Sequence, residues 1–380
     1  MIAQNKTIAI IGGGPGGLLL ARLLQNQGLQ VKVYERDVSE GVRQQGATLD
    51  LHEQSGLKAL KEAGLMAVFK QHYRPDAGKM RVADKNLNFF IDDHHSGAGY
   101  TETRPEIDRG PLRDLLIQSL LPGTIVWDSQ FVSMERRLVG GGWKVAFKNG
   151  TKAEADLVIG ADGANSKVRP YLSDVKPVYS DITMVELNIY QAAKHAPKMW
   201  ATVKGGKLFI LDEQKSIIMS AKADGTLTIY TGCKVAETWV KQSGINFQQH
   251  QSVADWFKAT YAGWDEQLSE WTDGAFTAIP RPMYHYVDQN WVSTGDLTLI
   301  GDAAHRMPPY AGEGVNMALL DALVLSGTLC SDKQGSVKDA LEAYEKEMIA
   351  RAAAVTEDSL NNTVMLHGEN ALSDMMALMR

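Results

Sequence analysis

An apolar strand followed by a glycine-rich turn opens the chain and constrains its fold more than any other feature. Residues 7–11 are apolar and rich in isoleucine, which predicts a buried strand. Gly12, Gly14 and Gly17 then give the spacing G-x-G-x-x-G, and Pro15 stands where a helix would begin. In this pattern the first glycine allows a tight turn, the second lets the backbone approach a pyrophosphate, and the third lets helix and strand pack closely. The segment predicts an α/β domain that binds a dinucleotide.

The residues that follow complete this motif. Residues 16–27 have the apolar spacing of a helix, whose N-terminal N–H groups favour a phosphate anion. A second strand is predicted over residues 31–34 and ends at Glu35. A carboxylate at this distance from the glycines can accept a hydrogen bond from a ribose hydroxyl. The alternative, a chance glycine-rich turn, does not require strand, helix and acid in this order.

A second segment, almost three hundred residues later, points to the other end of such a ligand. Residues 297–300 are a predicted strand, Gly301-Asp302 follows it, and residues 312–316 open a helix near Gly314. Asp302 can accept a hydrogen bond from a ribityl hydroxyl, and the positive end of the helix can stabilise a reduced flavin. Asp302 could also be a simple turn residue. The two segments together predict bound FAD, held non-covalently because no covalent attachment motif is recognisable.

Composition excludes several classes of protein. The chain has 380 residues and a formal net charge of −6, which argues against a nucleic-acid partner. Its two cysteines, Cys233 and Cys330, form no Cys-x-x-Cys pair, so neither a metal site nor a redox dithiol is expected. The first strand begins too early for a signal peptide, and no apolar run reaches the length of about 18 residues that a membrane span needs. We therefore expect a cytoplasmic protein without a membrane partner.

The order of the patterns predicts how the chain is organised. We expect single helices over residues 57–67, 109–121, 314–330 and 337–365, and single strands over residues 124–127, 143–147 and 153–159. The predicted fold is α/β, a Rossmann-like FAD-binding domain with an inserted β-rich substrate domain and a long C-terminal helix. The predicted divisions are residues 1–74, 102–176 and 281–331 for the FAD-binding domain, 75–101 and 177–280 for the substrate-binding domain, and 332–380 for a C-terminal helix that bridges the two.

Three segments of the chain resemble those of a known family. Residues 12–17, Asp162-Gly163 and Gly301-Asp302 are similar, in order and spacing, to the fingerprints of the class A flavoprotein monooxygenases, which have the p-hydroxybenzoate hydroxylase fold. The resemblance spans nearly the whole chain. It implies that Asp162 serves the binding of both FAD and NADPH.

A closer resemblance is to the tetracycline-inactivating flavin monooxygenases. It is carried by residues 33–36, 47–52, 105–109, 112–113 and 301–316. The resemblance implies that Glu35 and Arg36 hold the adenosine end of FAD and that Arg43 meets NADPH. It also implies that FAD is contacted by Pro15, Asp50, Arg109 and Arg113. The flavin itself would be held by Asp302, Gly312, Glu313, Gly314 and Val315.

The same resemblance implies a substrate pocket and shows where this chain departs from the family. Pro309, Tyr310 and Gly312 would form the pocket floor, and Asn362 would close it. At the positions of a glutamine, an arginine and a histidine that grip the substrate, this chain has Glu186, Lys207 and Thr228. An added carboxylate and the loss of an arginine fork change both charge and geometry. We therefore expect weaker turnover of tetracyclines, if any, than in enzymes with the full set.

The implied reaction is an oxygenation of a small molecule. The resemblance implies that NADPH reduces FAD and that O2 forms a C4a-hydroperoxyflavin, which hydroxylates a polycyclic or phenolic substrate, with inactivation of a tetracycline-type antibiotic as the first expectation. The cofactor supplies this chemistry, so no catalytic side chain is expected. We also expect a monomer. The alternatives are hydroxylation of another aromatic metabolite, a flavin-dependent reductase, and a flavoprotein that binds a partner without turnover.

Overall fold

The computed structural model describes residues 1–41, 48–94, 103–286 and 289–379. Its strands are β1 (Ile8–Ile11), β2 (Val31–Tyr34), β3 (Thr48–Asp50), β4 (Met80–Ala83), β5 (Phe89–Asp92), β6 (Glu106–Asp108), β7 (Ile125–Val126), β8 (Phe131–Arg136), β9 (Trp143–Phe147), β10 (Lys152–Ala155), β11 (Leu157–Gly160), β12 (Val178–Ile189), β13 (Lys207–Asp212), β14 (Lys215–Ala221), β15 (Leu227–Lys234), β16 (Phe276–His285) and β17 (Leu297–Leu299).

The helices alternate with these strands in the first third of the chain and close its C-terminal part. They are α1 (Pro15–Asn26), α2 (Lys58–Glu62), α3 (Met66–His72), α4 (Arg109–Gln118), α5 (Ala192–His195), α6 (Pro197–Val203), α7 (Trp239–Gln242), α8 (His250–Thr260), α9 (Asp302–His305), α10 (Gly314–Cys330), α11 (Val337–Leu366) and α12 (Ala371–Leu378). Short 3₁₀ helices cover Arg169–Tyr171, Glu266–Asp273 and Pro309–Ala311, and a π-helical turn covers Glu53–Leu57.

A parallel sheet forms the first layer. Within the described residues its strand order is β17-β11-β1-β2-β7, and the paired strands run parallel. Strand β1 is buried along its whole length, as expected for a central strand covered on both faces. Helices α1, α4, α10 and α11 contribute to the core on this sheet, and the antiparallel ribbon β10-β9-β8 also packs into it.

A larger, mostly antiparallel sheet forms the second layer. In the described part of the chain its order is β16-β12-β15-β14-β13-β4-β5, and only the pair β13–β4 is parallel. One face carries the alternate apolar side chains that pack on α5, α6 and α8. The opposite face carries several buried polar side chains, and Lys207 on this face reaches Asp50 of β3, which pairs with β6 in a separate two-stranded sheet.

The structure agrees with the predicted α/β class, the parallel sheet and the long C-terminal helix. The predicted helix over residues 57–67 is wrong, because Gly64 takes a left-handed conformation (φ +75°) that separates α2 from α3. The predicted strand over residues 153–159 is also wrong, since β10 and β11 belong to different sheets. The strand predicted over 124–127 is reduced to β7.

The predicted division into domains stays a prediction, and the two sheets are the observation that supports it. Strands of the parallel sheet fall within residues 8–34, 125–160 and 297–299, and those of the larger sheet fall within residues 80–92 and 178–285. Two features refine the expected limits. Strand β16 continues to His285, and the C-terminal segment contains α12 as well as α11. No helix among the described residues combines the length and the hydropathy that crossing a bilayer requires.

Candidate flavin and substrate site

The glycine-rich turn between β1 and α1 has open space for a ligand at one glycine, whereas at two others there is no space even for a Cβ atom. Gly12 has φ +113°, and a Cβ atom there would overlap the carbonyl oxygen of Ala161. A Cβ on Gly17 would overlap the carbonyl oxygen of Gly12. Gly14, in contrast, has no atom within 4 Å of the position that a Cβ would take. The turn therefore has the open space at Gly14 that the approach of a pyrophosphate requires. Pro15 is the first residue of α1.

Glu35 lies beside this turn and organises it. It is buried, and its carboxylate accepts hydrogen bonds from the backbone N–H of Gly13 at 2.6 Å and of Asp37 at 3.0 Å. Arg113 donates from Nε to the carbonyl oxygen of Gly13 at 3.2 Å and from Nη2 to Asp37 at 3.2 Å. A carboxylate has about four acceptor positions, and the family resemblance assigns Glu35 to the adenosine end of FAD. We call the turn from Gly12 to Gly17 together with Glu35 the adenosine end.

Among the other residues that are predicted to contact the cofactors, the structure describes Asp162, Arg36 and Arg109. Asp162 accepts from the Ser166 hydroxyl at 2.6 Å and from the backbone N–H of Lys167 at 2.7 Å, so its carboxylate fastens its own loop. Burial raises the pKa of Asp162, and these hydrogen bonds oppose the rise. Arg36 is exposed, and Arg109 is the half-buried first residue of α4. Arg43 lies outside the described residues.

A second group of residues surrounds the N-terminus of α10, and we call it the flavin end: Asp50, Asp302 and residues 312–315. Asp302 is exposed, and its Oδ1 lies 4.0 Å from the position that a Cβ on Gly314 would take. A Cβ on Gly312 would lie 3.5 Å from Oδ1 of Asp50. An exposed carboxylate and two glycines at a helix N-terminus suit a ligand that brings hydroxyl groups and negative charge. The residues present therefore fit the flavin half of FAD.

A histidine to which no sequence motif gives a role, His52, lies beside the flavin end. Nε2 of His52 lies 3.1 Å from Oδ2 of Asp50, and Nδ1 lies 2.9 Å from Oε1 of Glu313. The hydrogen bonds to these two carboxylates, first to Asp50 and then to Glu313, raise the pKa of His52 to about 9. Burial raises the pKa of Asp50, but its hydrogen bond with His52 and the charge of Lys207 outweigh burial and lower it. His52 is therefore a cation at neutral pH.

Lys207 connects the flavin end to the larger sheet. Its ammonium group is 4.0 Å from Oδ1 of Asp50 and forms a close ion pair with Glu106. Glu106 is almost fully buried, and burial raises its pKa while the charge of Lys207 limits the rise. The resemblance assigns Lys207 to the substrate, whereas in the structure its charge faces two carboxylates. Its spacing in sequence gave no signal for this pairing, because Glu106 and Asp50 are on distant segments.

A buried ion-pair cluster supports the turn that carries Asp302. Asp321 on α10 accepts from the backbone N–H of Gly301 at 2.8 Å, contacts His305 at 2.5 Å, and accepts from Arg351 on α11 at 2.8 Å. Burial lowers the pKa of His305, but the charge and hydrogen bond of Asp321 outweigh it and raise the pKa. These three side chains hold the turn between β17 and α9 against two long helices.

The polar face of the larger sheet carries the three residues that depart from the tetracycline family. The pairing of the strands puts Lys207, Ser220, Thr228 and Asn188 in one row across β13, β14, β15 and β12. Glu186 lies in the adjacent row on β12, opposite Tyr230. Lys207, Thr228 and Glu186 therefore share one face, as the resemblance implies, and that face is the one from which Lys207 reaches Asp50.

Two of these side chains already have partners within the sheet. Glu186 accepts from Nδ2 of Asn188 at 3.0 Å and from Nε of Arg281 at 2.5 Å. Thr228 is fully buried and donates to Oδ1 of Asn188 at 2.9 Å. Arg281, which no sequence motif indicates, is half exposed on the edge strand β16. Its guanidinium group offers further N–H donors beyond the one that Glu186 uses.

The predicted pocket floor lies next to the same sheet. The Tyr310 hydroxyl is 3.5 Å from Nε2 of His367, and Ser216 of β14 is 3.0 Å from the same nitrogen. Asn362 on α11 donates from Nδ2 to the carbonyl oxygen of Tyr310 at 3.1 Å. Pro309 is exposed and begins the short helix that contains Tyr310. The structure thus brings Asn362 and the Pro309–Ala311 segment together, as the resemblance implies.

Comparison with known proteins agrees with this architecture. A family model described as FAD binding domain matches residues 5–359. The chain is 26% identical to the monooxygenase penA of Penicillium thymicola, with 96% of each chain covered. It is 27% identical to the 6-hydroxynicotinate 3-monooxygenase of Pseudomonas fluorescens, with 97% of this chain and 94% of that protein covered.

Solved structures share the fold at lower identity. Klebsiella pneumoniae HpxO, complexed with FAD and uric acid, has a TM-score of 0.77 at 18% identity, covering 99% of this chain and 92% of that one. The tetracycline destructase Tet(51) has a TM-score of 0.69 at 21% identity, covering 99% and 93%. The predicted fold is confirmed. The chain belongs to the FAD binding domain family, and it is a flavin monooxygenase of the class A fold.

Proposed function

We propose that this enzyme uses NADPH and O2 to hydroxylate an aromatic or polycyclic small molecule that lies between the flavin end and the polar face of the larger sheet. One observation carries the proposal. Lys207 of that face is 4.0 Å from Asp50, and Asp50 borders Gly312 at the N-terminus of α10. The residues predicted to hold the flavin and those predicted to hold the substrate therefore adjoin one another.

The protein's part in the reaction follows from these positions. When bound, FAD supplies the hydride acceptor for NADPH and the chemistry that activates O2. The backbone N–H groups at the start of α10 face the site with partial positive charge and favour an anionic reduced cofactor. Asp302 is exposed and free to accept hydroxyl hydrogen bonds, and the turn that carries it is held by Asp321.

The polar face favours a substrate with acidic or phenolic groups. Arg281 is half exposed and is held by Glu186 through Nε, so its terminal N–H groups can meet an anion. Tyr310 and Tyr230 offer aromatic surface where they pack near Met184, the residue opposite Arg281 in the sheet. Two similar proteins are named after acidic aromatic compounds, which is consistent with this class of substrate. They are the 6-hydroxynicotinate 3-monooxygenase and a salicylate hydroxylase of the same fold.

Inactivation of a tetracycline-type antibiotic is a second candidate, favoured by one specific observation. Asn362 donates to the carbonyl oxygen of Tyr310, so the floor and the closing residue of the pocket that the tetracycline family implies are in contact. Against it stands Thr228, which is fully buried and already bonded to Asn188 where that family has a substrate-gripping histidine. We therefore propose weak turnover of tetracyclines beside a preferred phenolic substrate.

The test is a steady-state screen of the FAD-reconstituted protein. NADPH and NADH oxidation, O2 consumption and product mass are measured with hydroxybenzoates, other phenols and tetracyclines. We expect NADPH oxidation to rise at least about tenfold with a phenolic acid, and the product to gain one oxygen atom. NADPH oxidation that yields a product with two added hydrogen atoms and no added oxygen atom would indicate a reductase. FAD bound without oxidation of NADPH or NADH would indicate a binding protein, and either result would overturn the proposal.

A further inference from the structure

At the flavin end His52 lies between two of the carboxylates, those of Asp50 and Glu313. We propose that His52 is a positioning residue: as a bridging cation it holds Asp50 and Glu313 together and makes the site more favourable for reduced than for oxidised FAD. The inference rests on the proposed use of this site for the flavin. It assigns a role to a residue that does not need to touch substrate.

The geometry shows that both ring nitrogens of His52 are committed. Nε2 is 3.1 Å from Asp50 and Nδ1 is 2.9 Å from Glu313, and only 12% of the side chain is exposed. A neutral imidazole has one donor and one acceptor nitrogen, whereas imidazolium donates from both. Because both partners are carboxylates, which only accept when ionised, the arrangement requires the charged form.

The backbone at Asp50 and His52 is hydrogen-bonded to Asn316 of α10. The N–H of His52 donates to Oδ1 of Asn316 at 2.9 Å, and Nδ2 of Asn316 donates to the carbonyl oxygen of Asp50 at 2.9 Å. Asn316 is fully buried. The segment after β3 and the first turn of α10 are therefore joined by two backbone contacts and by the His52 bridge, so loss of the ring should change charge and local position but not the overall fold.

The other charges that face this bridge come from two more segments. Lys207 of β13 is 4.0 Å from Asp50, and Arg104 is 3.9 Å from it but mostly exposed. Glu106 of β6 faces Lys207 on the far side. Carboxylates and cations thus alternate from Glu106 through Lys207, Asp50 and His52 to Glu313. The hydrogen bonds of His52 with Asp50 and Glu313 raise its pKa to about 9, so the bridge persists at neutral pH.

Removal of the bridging charge should disfavour the reduced cofactor most. Without it, two carboxylates repel each other and also repel the negative charge that a reduced flavin carries. Oxidised FAD is neutral at the ring and is affected less. The sign is therefore definite: a variant without the cation should have a more negative flavin reduction potential as well as weaker binding.

The experiment compares His52→Gln with His72→Gln, a matched change of an exposed histidine in α3. The dissociation constant of oxidised FAD and the midpoint potential of the bound flavin are measured from about pH 6 to pH 10. We expect His52→Gln to weaken the binding of oxidised FAD about threefold. The binding of reduced FAD should be weakened by a factor about ten times larger. The extra tenfold corresponds to a potential about 30 mV more negative for a two-electron couple. The parent protein should lose FAD affinity as the pH rises through about 9, while His52→Gln should lack this transition.

A second variant keeps the test decisive if His52→Gln does not fold. Glu313→Gln removes one of the two carboxylates that stabilise the imidazolium, so the pH transition of FAD binding should move to lower pH. An unchanged transition in Glu313→Gln, or a His52→Gln protein with the parent's potential and pH profile, would overturn the role of His52. A parent protein that does not bind FAD at all would instead contradict the proposed function, so the two failures are distinguishable.

Discussion

The two ends of the predicted cofactor site are built in different ways. The adenosine end is local: residues 12–37 supply its turn, and Glu35 is held by backbone N–H groups of Gly13 and Asp37. The flavin end is assembled from distant segments, since His52 and Glu313 are joined by side chains across more than half of the chain. A site made from backbone geometry is visible as residue spacing, whereas a site made from side-chain pairing is visible only after folding.

The largest expected effect tests the backbone construction of the adenosine end. Gly12→Ala should destabilise the apoprotein by about 3–5 kcal/mol, because strain at a positive φ adds to an overlap with the carbonyl oxygen of Ala161. Gly14→Ala is the matched control, and it should cost less than about 1 kcal/mol because its Cβ meets open space. Urea unfolding of the apoproteins measures both.

The same pair separates folding from binding. Gly14→Ala should weaken the binding of FAD at least about tenfold, because the added methyl group fills the space that a pyrophosphate needs. If the alanine at this position bound FAD as tightly as glycine does, the pyrophosphate would not lie at Gly14, and the adenosine end would have been misplaced.

The next effect compares one acid from each end. Glu35→Ala leaves two backbone N–H groups without their acceptor, and it should destabilise the apoprotein by about 2–3 kcal/mol. Asp302→Ala removes an exposed carboxylate and should change apoprotein stability by less than about 0.5 kcal/mol. Both variants should bind FAD more weakly by about 1.5–3 kcal/mol, since each loses a charge-assisted hydrogen bond to the cofactor.

Unfolding experiments on the apoproteins and FAD titrations of both variants check this contrast. Equal stability losses would mean that the two acids have the same structural role. An unchanged FAD dissociation constant for Asp302→Ala would remove this residue from the cofactor site.

Much of the fold follows from the sequence, and the reasons for the exceptions are physical. The strand β1, the turn at Gly12 and the helix α1 follow from apolar spacing and glycine chemistry, which are local properties. The break at Gly64 was not predicted, because an isolated glycine inside a helical apolar pattern can be tolerated within the helix as well as end it. The separation of β10 from β11 depends on which strands pair, and pairing is not encoded in the apolar pattern alone.

The candidate site shows the same limit. The positions of Asp302 and Gly312 were predictable from the motif around them, and the structure brings them to one helix end. The partners of Lys207, Glu186 and Thr228 were not predictable, because Glu106, Arg281 and Asn188 lie on strands whose register only the folded sheet defines. His52 stands in a segment that the resemblance included, yet its pairing with Glu313 required the approach of β3 to α10.

A smaller effect concerns the pH dependence of stability at the flavin end. The folded pKa of His52, about 9, lies above its ordinary value of 6.5. Its contribution to the free energy of unfolding should therefore be fully present below about pH 6.5 and be lost as the pH rises through about 9. We expect about 1–2 kcal/mol, discounted because the site is partly exposed to solvent.

The measurement is the difference in free energy of unfolding between the parent apoprotein and His52→Gln at about pH 6 and about pH 10. The difference should be largest at the lower pH and close to zero at the higher pH. A difference that does not change with pH would mean that the ring contributes by packing and not by charge. The adenosine end offers the contrast, since the contacts of Glu35 with backbone N–H groups involve no histidine.

The smallest expected effect decides to which region Lys207 belongs. Its ammonium group faces Glu106 and Asp50, and both partners need a cation but not a planar fork. Lys207→Arg should therefore change the dissociation constant of FAD and kcat/KM for phenols and tetracyclines by less than about threefold. Lys215→Arg is the matched control, because Lys215 on β14 of the same sheet donates to the carbonyl oxygen of Thr260.

If Lys207 instead contacts the substrate, as the family resemblance implies, the arginine fork should raise kcat/KM for tetracyclines roughly tenfold while FAD affinity stays the same. Steady-state rates followed by the absorbance loss of the drug, with FAD titrations of both variants, separate these outcomes. A rise confined to tetracyclines would assign Lys207 to the substrate pocket, and unchanged rates would assign it to the charge network of the flavin end.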